Sequence, residues 1–312
     1  MTPRAQRGGA QVAFRSEFEG LWIDRTDADE VLARRVRAGQ VTEAEVNQLR
    51  HFVDHGWVLL EQAVPVETCE EVKRDLRRAF AKGDERVHVL APGEHFGRPL
   101  TAGIDMRAMR VNDIYVYYDS ARRALFSPPI VRFLRLIFDA APLLMQSLTF
   151  DVGSRQGAHR DSSYVVVDPP LALAASWTAL EDVVPGSGEL MYYDGSHRVD
   201  APLFSDMFKC WHGLRDGPGA HDQFLEELLS NCETAGLEVH QLVASEGDTL
   251  IWAADLVHGG SPVVDESLTR RSLVGHYCPE WAVPRAFDQF PDRRTRVEYE
   301  GSYYSSMHYR VG

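Results

Sequence analysis

The sequence predicts a mainly β fold with flanking helices, an α+β chain built on a β-sandwich or jelly roll. Three observations carry that expectation. The first part of the chain holds amphipathic runs of helical period, and the middle and end hold short segments rich in β-branched and aromatic residues, spaced by Gly, Pro and Asp turns. The longest apolar runs, such as Leu171–Ala175, fall far short of the ~20 residues that cross a bilayer, so no membrane partner is expected. With 312 residues, 44% of them hydrophobic, the chain can bury a substantial core.

Residues 1–40 are expected to be a partly flexible N-terminal extension, and 41–312 a single domain. The first sixteen residues carry Arg4, Arg7 and Arg15 among Gly, Gln and Ala, with no apolar segment of the secretory type, and read as a solvated start. Between Val41 and Gly83 helices dominate. Thr42 with Glu45 three residues on forms a capping pattern, and Pro65-Val66-Glu67-Thr68 leads into the amphipathic run Cys69–Phe80. His55–Leu60 reads as a short strand between them. Val87–Thr101 lacks periodicity and reads as a loop, a candidate lid over a site.

Val111–Tyr118 is compatible with strand or short helix, and Ile130–Asp139 has helical spacing. Strands are then expected at Leu143–Val152, Ser162–Val167, Leu171–Leu180, Glu189–Tyr193, Val239–Val243, Thr249–Ala253 and Arg271–Tyr277. A helical insertion at about 201–236, with a helix at Asp222–Leu229, interrupts them. The tail Glu298–Arg310 is rich in Tyr and suits packing over a barrel mouth or an oligomer interface; the sequence declares no oligomeric state.

The 33 basic against 46 acidic residues give a formal charge of −13, and no basic run opposes it, so nucleic acid is not an expected partner. A small molecule is. Cys69, Cys210, Cys232 and Cys278 are scattered and form no C-x-x-C pair, which argues against a zinc ribbon or a disulfide framework and favours a cytoplasmic setting.

Chemistry is concentrated in two segments. In Gly157-Ala158-His159-Arg160-Asp161 a histidine and a carboxylate stand two residues apart, so extended backbone turns both to one face. About a hundred residues later His258 is expected at the end of an apolar strand and before two glycines, able to bring a second imidazole to the same metal. Two histidines and a carboxylate on one face leave the opposite positions open, the arrangement of Fe(II) enzymes that activate O₂. Either element alone is weak: an isolated H-x-D is more often a surface or hydrogen-bonded pair, and a lone His258 more often a core histidine. Twelve residues further, Arg270 opens an inward strand expected beside that of His258. Its guanidinium fork suits a carboxylate, with Arg271 pointing the other way.

These residues resemble the phytanoyl-CoA dioxygenase family of Fe(II)/2-oxoglutarate oxygenases. The resemblance spans about Val41 to Tyr277 and rests on ordered pieces. They are His55-Gly56-Trp57-Val58-Leu59-Leu60, Gln146-Ser147, His159-Arg160-Asp161, Trp177-Thr178-Ala179-Leu180, Gly195-Ser196-His197-Arg198, Gly247-Asp248, His258-Gly259 and Arg270-Arg271. It implies a double-stranded β-helix with iron near its mouth. His159, Asp161 and His258 correspond to the iron ligands, Arg270 to the partner of the distal carboxylate of 2-oxoglutarate, and Gln146 and Trp177 to the cosubstrate pocket. Gly260 stands where family members often have Ser, with Ser261 one residue later.

The activity implied is oxidation of a small molecule, most simply hydroxylation, with release of succinate and CO₂. Because Asp161 is a carboxylate, halogenation is disfavoured. Two other readings stay open at this level: a cupin-like metalloenzyme that does not use 2-oxoglutarate, and a non-catalytic β-sandwich binding protein. Tyr115, Tyr117, Tyr118, Tyr164 and Tyr193 are candidates for the pocket wall, and His88, His95, His197, His212 and His221 for lid or substrate contacts, each with ordinary packing or solvation as the plainer role.

Overall fold

The computed structural model describes residues 13–91, 94 and 97–312. His95, Arg4 and Arg7 lie outside the described residues. Helices α1 (Ala28–Arg37) and α2 (Glu43–His55) lead into β1 (Trp57–Leu60) and α3 (Val66–Lys82). The capping box at α2 forms as the sequence predicts: Glu45 N donates to Thr42 Oγ1 at 3.2 Å and Thr42 N to Glu45 Oε2 at 2.7 Å. Strands β2 (Asp84–Leu90), β3 (Arg98–Leu100) and β4 (Arg110–Asn112) follow, then α4 (Asp119–Leu125) and α5 (Pro128–Phe138).

The remaining strands are β5 (Pro142–Phe150), β6 (Val167–Asp168), β7 (Ala174–Ala179), β8 (Leu190–Tyr193), β9 (Val239–Leu242), β10 (Thr249–Ala253), β11 (His258–Gly260), β12 (Ser272–Pro279), β13 (Val283–Pro284), β14 (Val297–Tyr299) and β15 (Ser302–Tyr304). Helices α6 (Gly213–Asp216) and α7 (Ala220–Thr234) occupy the expected insertion. The large sheet runs β1-β10-β7-β12-β5-β4-β2-β3, with β15 beside β5 and β14 beside β15, and β11-β8-β9 forms a smaller sheet. All pairings but β15 on β5 are antiparallel.

Alternation along the strands splits the core into two layers. On one face of the large sheet Leu144, Ile251, Leu273 and Tyr277 share a buried cluster with Phe52, Val72, Phe133 and Ile137 of the helices. On the other, Ala175, Trp177, Trp252 and Val274 meet Leu190, Tyr192 and Leu242 of the small sheet. Strand β12 is buried at every position because both its faces are covered. The stretch before α1 also joins the core: Leu21, Trp22 and Ile23 are buried, and Trp22 Nε1 donates to Leu136 O at 2.8 Å.

Three local expectations are corrected. Val87–Thr101 is not a loop throughout; its ends belong to the paired strands β2 and β3, and register with β4 supplies an order that this short, His- and Pro-containing stretch does not signal by itself. Ser162–Val167 is not a strand. Tyr164 N and Val165 N both donate to Asp161 O, at 2.9 and 2.8 Å, and turn the chain, leaving only β6 beyond. Finally, His258 does not end the apolar strand β10. Leu256 N donates to Ala253 O, and the chain crosses to the small sheet, so β11 and the strand after Arg270 face each other across the sandwich instead of lying side by side.

Candidate metal centre and its cavity

His159 and His258 are brought together by backbone. His159 N donates to His258 O at 2.9 Å and His258 N to His159 O at 3.0 Å, an isolated antiparallel bridge that sets the two rings 4.5 Å apart. Gly259 permits the approach: a Cβ there would stand 2.9 Å from Ala158 N and from Gly157 C, closer than packed atoms come. Arg160 between the first two candidate ligands is extended, at φ −111° and ψ 138°, so Asp161 returns to the side of His159. The three residues offer ligand atoms within 4.8 Å of one another, and all are buried. His159 Nε2 lies 3.9 Å and His258 Nε2 3.7 Å from Asp161 Oδ1.

The remaining hydrogen bonds fix which atoms face inward. His159 Nδ1 donates to Gly157 O at 2.8 Å and His258 Nδ1 to Leu256 O at 2.9 Å, which assigns the proton to Nδ1 and leaves both Nε2 lone pairs directed at Asp161. Gln156 Nε2 sits 3.2 Å from His159 Nε2, consistent with an acceptor there. Trp252 Nε1 donates to Asp161 Oδ2 at 2.8 Å and leaves Oδ1 for the imidazoles. Burial pushes His159 down to about 4, with His258 beside it adding to the shift. Burial works to raise Asp161, but the facing His258 and His276 outweigh it and keep the group a carboxylate.

The cluster opens onto a cavity of about 290 Å³ whose wall also carries Gln146, Trp177 and Arg270, so the three expected metal ligands and the three expected cosubstrate contacts border one space. Arg270 is 2% exposed, yet its guanidinium has no hydrogen-bond or ion-pair partner among the described residues; it stacks 5.4 Å over the Trp177 ring. Burial depresses its pKa to about 10, and the Glu189 carboxylate, too far to form an ion pair, offsets this only in part. Its neighbour does the opposite: Arg271 turns outward and binds Asp151 at 2.7 Å and Glu181 at 2.8 Å. Trp177 Nε1 is likewise buried without a partner.

Of the cavity residues that escaped the sequence reading, four carry polar groups near the cluster or the arginine: Trp252, Gln156, Arg110 and His276. His276 Nε2 is 3.5 Å from Asp161 Oδ1. His276 was within reach, since stepping by twos from Arg270 through Ser272 and Val274 arrives at it. Trp252 and Arg110 come in by cross-strand register, which no local pattern encodes. Among the candidate tyrosines only Tyr164 borders the cavity, where its hydroxyl lies 2.7 Å from His221 Nε2 of the insertion. Tyr115 is core, donating to Ser305 O.

His197 does not border the cavity; its Nε2 donates to Val53 O at 3.1 Å, and the turn around it is structural, with Val257 N donating to Ser196 Oγ. Ser261 Oγ is buried without a partner and outside the cavity wall. His88 packs against Tyr309, and His212 is exposed. The tyrosine-rich tail runs β15 along β5 and brings Met307 to the cavity.

Two imidazoles and a carboxylate, buried and facing one point with their lone pairs preset, fit the donor set of a facial Fe(II) site, and the unpaired Arg270 fits an anion held beside it. A jelly-roll sandwich with this cluster between its sheets defines a metalloprotein of the double-stranded β-helix class. The family model for phytanoyl-CoA dioxygenase (PhyH) matches residues 52–272, and the chain belongs to that family. No curated protein matches by sequence.

Among solved structures, the chain is similar to the epimerase SnoN in complex with Fe3+, alpha ketoglutarate and nogalamycin RO. Identity is 18%, the TM-score 0.59, and 84% of this chain and 98% of that one are covered. It is also similar to the alpha ketoglutarate dependent carbocyclase SnoK from nogalamycin biosynthesis, at 16% and 0.57 over 79% and 87%. The structure of EctD from S. alaskensis with 2-oxoglutarate and 5-hydroxyectoine gives 16% and 0.56 over 96% and 89%. No helix among the described residues is long and apolar enough to cross a membrane.

Proposed function

We propose that this chain is an Fe(II)- and 2-oxoglutarate-dependent oxygenase that oxidises a small molecule, with His159, Asp161 and His258 as the iron ligands. The observation that carries the reading is the pairing of a buried His-Asp-His cluster with an unpaired buried arginine on the wall of one cavity. A cupin-like enzyme that ignores 2-oxoglutarate gives no reason to hold Arg270 desolvated and without an anion. Iron with 2-oxoglutarate and O₂ supplies oxidative decarboxylation to succinate and CO₂, coupled to attack on a substrate C–H bond.

The chain's own residues do the positioning. Gly157 O and Leu256 O orient the imidazoles, Trp252 steers one carboxylate oxygen away from the metal, and Arg270 grips the distal carboxylate of 2-oxoglutarate while Trp177 stacks on its guanidinium. Gln146 lies on the wall of the same cavity, paired with His276 beside Asp161. The outcome we favour is hydroxylation; epimerisation or ring closure would use the same ligands, as the names of SnoN and SnoK illustrate for those proteins. The free cysteines support a cytoplasmic setting.

Anaerobic titration with Fe(II) and 2-oxoglutarate is the test. A visible charge-transfer band that disappears in His159→Ala supports metal, cosubstrate and ligand together. Tight metal binding without a band overturns the cosubstrate assignment, and absence of metal binding overturns the enzyme. Succinate release with a substrate whose product gains one oxygen atom then separates hydroxylation from an isomerisation.

A further inference from the structure

We propose that Lys209 of the insertion is a positioning residue of the metal centre, acting through Asp255 on both chain segments that carry the ligands. The inference rests on the function proposed above, since it takes His159, Asp161 and His258 as those ligands, and it adds a residue that touches none of them.

Asp255 is buried on the crossing between β10 and β11, three residues before His258. Its two oxygens are divided. Oδ1 accepts from Ser162 Oγ, next to Asp161, and Oδ2 accepts from Lys209 Nζ. One carboxylate thus ties the His258 segment, the His159–Asp161 segment and the insertion together at a point behind the ligands. The backbone repeats the tie: Ser162 N donates to Ala254 O and Trp211 N to Ser163 O, each at 3.1 Å. Lys209 borders a second cavity, of about 560 Å³, which shares no wall residue with the first. Its ammonium also lies 5.1 Å over the Phe18 ring of the segment before α1.

The charges around Asp255 explain why the lysine matters. Burial works to raise the pKa of Asp255, but Arg160 and Lys209 outweigh it and hold the group ionised. Among the described residues these two are the cations within ion-pair range, and they are not equivalent. Lys209 is in contact. Arg160 Nη1 stands 3.9 Å away, while its Nη2 donates to Ser196 O at 2.7 Å and Val199 O at 2.6 Å and its Nε is buried without a partner. Without Lys209, Asp255 is a buried anion whose nearest remaining cation is Arg160. Arg160 stands between His159 and Asp161, so a carboxylate drawn toward it leaves Ser162 and pulls on both ligands. Lys209 holds Asp255 back from that rearrangement.

The test uses the full-length protein titrated anaerobically with Co(II), whose visible d–d bands report ligand geometry without turnover. Lys209→Met should weaken Co(II) binding roughly tenfold, the low end of what loss of an outer partner costs, and shift the bands. Lys209→Arg should restore both. Ser162→Ala cuts the same link at its other end without unpairing a charge, and should act in the same direction. In the double variant the two losses should not multiply, because both pass through one carboxylate. Unchanged Co(II) affinity and bands in Lys209→Met overturn the proposal, whatever urea unfolding shows, since the lysine then holds only the insertion. Where Lys209→Met does not fold, Ser162→Ala decides by the same two readings. Losses that multiply overturn it as well. Wild-type protein that binds no Co(II) sinks the metal reading and this inference with it, whereas wild-type binding that the substitutions leave unaltered sinks this inference alone.

Discussion

The two ends of the cavity are built on opposite terms. At the metal end each candidate ligand is held by a neighbour: His159 by Gly157 O, His258 by Leu256 O, Asp161 by Trp252. At the other end Arg270 and Arg110 face the cavity with no partner among the described residues. The first end is organised before anything binds, so that a metal finds its geometry ready. The second is left electrostatically unfinished, and its stability depends on the anion that arrives.

The largest effect is expected from breaking the organised end. Asp161→Ala removes the only carboxylate that the described residues bring to the cavity wall. Fe(II) affinity should fall by more than the ~10–100-fold that loss of an outer partner costs, and turnover should vanish. Anaerobic metal titration checks it, and wild-type affinity in the variant would remove Asp161 from the metal. The unfinished end should respond in the reverse sense. Arg270→Met deletes a charge-assisted contact worth about 1.5–3 kcal/mol, so the Kd for 2-oxoglutarate should rise roughly 10–150-fold. Without ligand the same change removes an unpaired buried charge and should stabilise the fold, on the order of 1–4 kcal/mol. A lower melting temperature with unchanged 2-oxoglutarate binding would mean that Arg270 is a structural residue.

Between these stands Trp252→Phe, which keeps the packing and deletes the 2.8 Å hydrogen bond to Asp161. About a tenfold loss of metal affinity is expected, with 2-oxoglutarate affinity at saturating metal little changed. A loss confined to 2-oxoglutarate would place the tryptophan with the arginine end instead.

What the sequence made legible follows from how each feature is encoded. The capping box at Thr42 and the H-x-D geometry of His159 and Asp161 are written in neighbouring residues, where local backbone periods suffice. The opposite aim of Arg270 and Arg271 is equally local, a consequence of strand alternation. Trp252 and His276 belong to a different kind of feature. Gln146 pairs with His276, His276 with Ala175, and Ala175 with Trp252, so one row across four strands delivers them to Asp161. Such a row exists only once register is fixed by packing, and of it the sequence showed Gln146 alone, through a family resemblance. The crossing of His258 to the small sheet was hidden for the same reason: nothing in Ala254–Val257 announces that the chain changes layers, and the bridge to His159 that requires it lies about a hundred residues away.

The smallest effect isolates what lack of a partner means for an arginine in this fold. Arg271 is one residue from Arg270 and chemically identical, but its side chain is bound by Asp151 and Glu181, and its own N–H donates to Glu181 Oε1 at 2.9 Å. Asp151 is 6% exposed, so truncating Arg271 strands a nearly buried carboxylate rather than a surface one. Arg271→Ala should therefore destabilise by about 1 kcal/mol or somewhat more, above the usual value of an exposed pair. Its Kd for 2-oxoglutarate should stay within about twofold of wild type, because the lost contacts lie on the outer face of the sheet. Chemical denaturation and the ferrous titration measure the two quantities on one preparation. Loss of stability in Arg271→Ala alongside a gain in ligand-free Arg270→Met would show that the partner, and not the residue type, decides whether a guanidinium here holds the fold or waits for a ligand. If Arg271→Ala instead weakens 2-oxoglutarate and Arg270→Met does not, the face assigned to the cavity is the wrong one.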